Sequence, residues 1–104
     1  MSLRFGFIGC GAAARHHADV VRALGHSVWT VAARKGSPRL APFARDYGAE
    51  RSYEDFRKML EAERLDALVV AASWDQTELL AEEVVQSGVP ALIEKPAEIG
   101  RAHV

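Results

Sequence analysis

"GFIGCGAAARHH", residues 6–17, decides how the rest of the chain is read. An apolar run enters it, two glycines interrupt it, and an alanine-rich run leaves it. Gly9 and Gly11 stand where side chains would otherwise add packing, so the turn must be tight or must leave room beside its backbone. Upstream, Leu3 to Ile8 reads as a buried strand. Downstream, the apolar period predicts a helix from Ala12 to Leu24 that stops at Gly25. A glycine turn between strand and helix is the first joint of a β-α-β unit.

The alternation continues along the chain. Ser27 to Ala33, rich in Val and Trp, predicts a second strand, and a helix from Arg39 to Tyr47 follows the breaker "KGSP" and ends at Gly48. "AERS" is a short third strand. Ser52 is the candidate N-cap of a helix over Tyr53 to Glu63, which carries Phe56, Met59 and Leu60 on its apolar side. "DALVVAAS" is the clearest buried strand. Asp75 is the candidate N-cap of a helix from Gln76 to Ser87 that presents Leu79, Leu80, Val84 and Val85 for packing and closes at Gly88. "PALIE" supplies the last strand. Strands apolar on both faces, alternating with helices, require a parallel sheet covered on both sides. The fold class is therefore α/β: a doubly wound, mostly parallel Rossmann-type sheet of about five strands in order 3-2-1-4-5, forming a single three-layer domain.

Composition narrows the function. The 104 residues are 49% hydrophobic and 26% charged, with a formal net charge of −1. A chain of this length buries roughly 60–70% of its unfolded surface in one core. It has no broad basic surface for nucleic acid or anionic lipid, so any anion site must be local. No apolar run approaches the roughly 20 residues that span a bilayer, and the start "MSLRFGFIG" lacks the apolar core of a signal peptide. The single Cys, Cys10, has no partner for an intramolecular disulfide. A reducing, cytoplasmic setting is expected, with neither nucleic acid nor membrane as partner.

Gly9-Cys10-Gly11-Ala12-Ala13-Ala14 fits the pattern G-x-G-x-x-G/A. In it the first glycine makes the tight turn, the second lets backbone N–H groups approach a pyrophosphate, and a small third residue lets the helix sit close to the strand. The positive end of that helix then faces the anion. These six residues are the expected phosphate-binding set for a dinucleotide. The competing reading is that the glycines serve turn geometry alone. The position about 20 residues beyond the motif, where an NAD-preferring domain places an acid for the ribose 2′-OH, is Arg34. A guanidinium cannot accept from that hydroxyl but binds a 2′-phosphate, with Lys35 and Ser37 as further donors. The expected cofactor is NADP in preference to NAD; the alternative makes Arg34 and Lys35 a solvated loop pair.

Three features together carry a family resemblance: a start of the form GxGxxAxxH, a strand end followed by a helix near Ser73, and Glu94-Lys95-Pro96 after the last strand. Together they resemble the N-terminal NAD(P)-binding domain of the Gfo/Idh/MocA family of glucose-fructose oxidoreductase and inositol dehydrogenase relatives, over nearly the whole chain. The resemblance implies an oxidoreductase acting on a sugar, polyol or related hydroxyl or carbonyl compound. It places Lys95 as the catalytic residue at the nicotinamide end of the cleft, with Glu94 positioning it and Pro96 shaping the turn. The competing reading makes Glu94 and Lys95 an ion pair capping a strand end.

Departures from the family pattern qualify this. Where members carry Thr-Pro-Asn and a His three positions on, this chain has Ser73-Trp74-Asp75 and Glu78. Ser73 and Trp74 are still assigned to the cofactor side, Trp74 covering the nicotinamide ribose or filling part of the pocket. His17 matches the family's first-helix His and either faces the cleft or is a satisfied surface residue; His16, about 100° away, is expected in solvent. Family members continue into an α/β substrate domain that this sequence does not contain. The expectation is cofactor binding without efficient turnover by the chain alone; a non-catalytic nucleotide module or a split-enzyme subunit is the alternative. The fifth strand, left as an edge, is expected to pair with a second copy or to exchange the segment after Pro96.

Overall fold

Alternating runs that are apolar on both faces become the five strands of one sheet. The computed structural model describes residues 2–72 and 74–94, with 74–79 in backbone only. Its elements are β1 (Arg4–Ile8), α1 (Ala12–Ala23), β2 (Ser27–Ala32), α2 (Leu40–Tyr47), β3 (Arg51–Tyr53), α3 (Phe56–Ala62), β4 (Ala67–Val70), α4 (Trp74–Gln86) and β5 (Ala91–Ile93). All pairings are parallel and the order is β3-β2-β1-β4-β5, as the sequence predicts. The chain winds outward from β1 through β2 to β3, then returns to place β4 against the other side of β1. That reversal opens a crevice at the carboxyl ends of β1 and β4.

Two apolar layers cover the sheet. On one face Phe7, Val28 and Val69 pack against Ala14, Ala18 and Val21 of α1 and Leu40 and Phe43 of α2. The small residues Ala14 and Ala18, both with no exposed surface, let α1 lie close to the strands. On the other face Ile8, Leu68 and Val70 pack against Met59 of α3 and Leu80 and Val84 of α4. At the amino end of the sheet, Glu63 ties β2, β3 and the end of α3 together. Its carboxylate accepts from Trp29 Nε1 at 3.2 Å, from Arg51 Nε at 2.5 Å and from the Tyr53 hydroxyl, and the side chain is only 3% exposed.

Three sequence expectations fail locally. Ser52 does not cap α3: it lies within β3 opposite Val31, and Asp55 takes the cap, accepting from Arg57 N at 2.9 Å. The strand extends through Tyr53, so the helix start moves on to Asp55, whose short carboxylate reaches the first-turn N–H. Asp75 falls inside the first turn of α4, which begins at Trp74. Val85 is 73% exposed while Val84 is fully buried; one residue is a 100° step, and among the described side chains the buried stripe of α4 runs through Leu80 and Val84, that of Leu79 lying outside them.

Candidate functional site

The crevice at the carboxyl ends of the strands is an open cleft of about 610 Å³, walled by the β1–α1 turn, the β2–α2 loop, the β3–α3 turn and Ala71, Ala72 and Leu80 on the β4 side. Its floor is the opening motif. Gly9 adopts φ +103 and donates to the Ala32 carbonyl at 2.8 Å. A β-carbon there would lie 2.3 Å from the Ala71 carbonyl oxygen. The fold itself therefore demands glycine at position 9.

Gly11 is a different case. Its backbone, φ −87 and ψ −161, suits any residue. A β-carbon there would meet only the flexible Arg39 guanidinium, at 3.3 Å. Gly11 is the N-cap of α1 yet offers no side-chain acceptor, and the first turn carries no acid. The first-turn N–H groups thus face the cleft, lined there by Ala12 and Ala13, without a side-chain cap. Ala14 packs underneath with no exposed surface.

Cys10 lines the cleft, but its side chain is 5% exposed and belongs to the apolar core, with Sγ 3.7 Å from Ser37 Oγ. Ser37 Oγ also accepts from Arg39 N at 3.3 Å, so this hydroxyl braces the β2–α2 loop. Arg34 and Lys35 are exposed on the cleft wall. Among the described residues neither pairs with an acid.

Four charged residues that the sequence reading passed over also line the cleft: Arg39, Glu54, and Asp55 and Arg57 at the start of α3. Arg39 stands at the N-cap of α2, where the helix dipole disfavours a cation. That misfit is the signal by which it could have been found. Glu54, in the β3–α3 turn, lies against the β2–α2 loop, its Oε2 accepting from Gly36 N at 3.3 Å, and so holds the turn that carries Arg34 and Lys35. No pattern marks Glu54, because only the β2–β3 pairing brings it to the loop.

The other predicted residues scatter. Ser73, Lys95 and Pro96 lie outside the described residues, as does the Trp74 side chain, although Trp74 begins α4. Glu94 follows β5, donates from its N–H to the Val70 carbonyl at 2.8 Å, and sits beside His17 rather than in the cleft wall. His16 is exposed. Among the described residues no group of three or more His, Cys, Asp or Glu is placed to hold a metal. No helix among them is long and apolar enough to cross a membrane.

Comparison with known proteins gives this geometry a lineage. The Gfo/Idh/MocA oxidoreductase family, with its NAD-binding Rossmann fold, matches residues 3–102. The chain belongs to that family. It is 34% identical over 89 residues to D-apiose dehydrogenase of Paraburkholderia graminis, an alignment covering 86% of this chain and 24% of the relative. The WlbA dehydrogenase from Bordetella pertussis, solved with NADH and UDP-GlcNAcA, superposes with a TM-score of 0.82 at 28% identity, over 92% of this chain and 30% of that one. An oxidoreductase from Agrobacterium radiobacter, solved with NAD⁺, L-tartaric acid and magnesium, superposes with a TM-score of 0.83 at 25% identity, over 92% and 28% respectively. The chain thus spans about a quarter to a third of the length of these Gfo/Idh/MocA relatives and corresponds to their NAD-binding Rossmann domain.

Proposed function

We propose that this Gfo/Idh/MocA domain binds NADP, and NAD less tightly, across the cleft, and serves an oxidoreductase acting on a sugar, polyol or related hydroxyl or carbonyl compound. The observation that carries the site is the contrast between its two glycines. Gly9 is explained by its own backbone and by Ala71; at Gly11 neither backbone conformation nor rigid packing requires glycine, which supports a ligand that comes within van der Waals distance of its α-carbon. The pyrophosphate lies against Gly9, Cys10, Gly11, Ala12 and Ala13, with Ala14 holding the helix close. The Arg39 guanidinium, beside Gly11, adds positive charge on the same side.

Arg34 and Lys35 support the choice of NADP. Both are cations on the adenosine-side wall with no acid paired to them among the described residues, and Ser37 keeps their loop in place. The relatives solved with NADH and NAD⁺ bear on the family's cofactor class and leave the choice between the two forms to these residues.

Hydride transfer is the chemistry that the nicotinamide supplies when bound. In the same reading Lys95 stands as the catalytic residue next to the reacting carbon, Glu94 and Pro96 fix the segment that carries it, and Ser73 and Trp74 border the nicotinamide half. A substrate domain completes the pocket and supplies the proton acceptor. Sugar or polyol substrates are supported by the relatives, which include a D-apiose dehydrogenase. The buried, unpaired Cys10 fits a reducing, cytoplasmic setting.

Calorimetric titration of the chain with NADP⁺ and NAD⁺ tests the proposal. Saturable binding with NADP⁺ favoured by at least about tenfold is expected. Absence of binding by either dinucleotide overturns it.

A further inference from the structure

α1 carries different duties on its two flanks. On one, Arg15 pairs with Asp46 at 3.0 Å, Tyr47 donates to Asp19 at 2.8 Å and Arg22 donates to the Asp46 carbonyl at 3.2 Å, all toward α2. Ala14, Ala18 and Val21 face the sheet. At about 100° per residue, His17 falls on the opposite flank, over the β4–β5 side. There its Nε2 reaches no solvent and has no hydrogen-bond partner among the described residues. The Glu94 carboxylate stands 3.6 Å away, within ion-pair range and about 0.6 Å beyond a good N–H···O bond.

The acid is well placed for this purpose. Its backbone N–H extends the β4–β5 ladder to the Val70 carbonyl at 2.8 Å. Ile93 packs on the α3–α4 face, so strand alternation sends the Glu94 side chain to the face of α1. β2 and β4 carry no charged residue, and β1 carries only Arg4, at its far end. The other titratable neighbour is the exposed His16, whose ring centroid lies 5.7 Å from that of His17. Glu94 is thus the one acid within reach of a buried ring nitrogen among the described residues, and an unsatisfied buried polar group calls for a partner.

We propose that His17 is a positioning residue: acting through Glu94, it fixes the end of β5 and with it the half of the dinucleotide site on the β4–β5 side of the crevice. This rests on the dinucleotide reading above. One helix then serves both halves, its N-terminus at the pyrophosphate and its His17 flank at the end of β5.

Calorimetry on the unmodified chain, His17→Leu and His17→Gln, with NADP⁺ and with adenosine 2′-phosphate 5′-diphosphate, its adenosine fragment, tests the assignment. His17→Leu is expected to weaken NADP⁺ about tenfold while changing the fragment less than about twofold, and His17→Gln, which keeps an N–H donor, to restore most of the loss. Equal weakening of both ligands shows only a loosened α1 and overturns the proposal, as does no weakening of either. A denaturation cycle over His17→Leu, Glu94→Leu and the double variant, without ligand, reads the pair independently of the cofactor. Additive effects there overturn it; a double variant no less stable than either single supports it. If the unmodified chain binds neither ligand, the dinucleotide reading falls, and this cycle still decides whether the pair exists.

Discussion

Gly9 and Gly11 answer to different forces, and replacing each in turn separates them. Gly9→Ala forces a β-carbon to within 2.3 Å of the Ala71 carbonyl oxygen at φ +103. That carbonyl cannot retreat freely, because Ala71 N–H is bonded to the Ile8 carbonyl at 2.8 Å. Backbone strain and backbone clash together cost about 3 kcal/mol or more. For a domain of this size that lowers Tm by roughly 12–24 °C. Gly11→Val meets neither penalty: its backbone is ordinary and the nearest atom, Arg39 Nη1 at 3.3 Å, can swing aside. The weaker N-cap and the stiffer unfolded chain each shift stability by about 0.5–1 kcal/mol in opposite directions, so Tm stays within about 4 °C. Binding responds in the reverse order. The isopropyl group fills the space a phosphate needs, and affinity falls by about a hundredfold or more, equivalent to about 2.7 kcal/mol. Thermal melts with and without NADP⁺ at about 100 times Kd read both effects. The unmodified chain gains about 2.7 kcal/mol, or roughly 10–20 °C, and Gly11→Val gains almost nothing. A Gly11→Val melt that still rises with cofactor refutes the site, and a Gly9→Ala chain that melts like the unmodified one refutes the packing argument.

Arg34→Asp removes the guanidinium proposed to meet the 2′-phosphate, and the tenfold to hundredfold preference for NADP⁺ that such a contact provides should vanish or reverse; comparable affinities for both cofactors in the unmodified chain would make Arg34 a surface residue. Lys95→Ala, in a protein that includes the substrate domain, should depress kcat far more than it weakens NADP⁺ binding, and unchanged turnover would leave Glu94-Lys95-Pro96 a structural segment. Hydrogen bonds from Arg51, Tyr53 and Trp29 outweigh burial and hold the Glu63 carboxyl at about 2, against an ordinary 4.5. A depressed folded-state value stabilises the protein above the unfolded one, so about 3 kcal/mol is lost as pH falls from about 4.5 toward 2. Urea midpoints across that range should therefore fall less steeply in Glu63→Gln, and an identical slope would refute the network. Leu92, 51% exposed on β5, is expected to support edge pairing between two copies. Light scattering should show a concentration-dependent dimer that Leu92→Lys abolishes; a monomer up to high micromolar concentration refutes it.

What could be read in the sequence was what depends on neighbours along the chain. Strand runs such as "ALVV" and the Ala14–Ala18–Val21 stripe announce their faces by period alone, and the glycine turn marks the junction of β1 with α1. Helix starts were less secure, because Ser52 and Asp55 both offer a capping oxygen and the choice falls to how far β3 pairs with β2, a long-range matter. The groups that no period reveals are joined by sheet register. Glu54 reaches Gly36 across 18 positions, and Trp29 reaches Glu63 across 34. His17 meets Glu94 only because β5 lies beside β4 in parallel and ends level with the middle of α1. The sequence left His17 between cleft and surface, tied Glu94 only to Lys95, and gave Glu54 and Glu63 no role of their own; three-dimensional proximity gives these side chains their partners. The cleft follows the same division: its glycine floor is written in six consecutive residues, whereas its walls, Arg39 and Glu54 among them, are assembled from three separate loops whose meeting depends on the strand order.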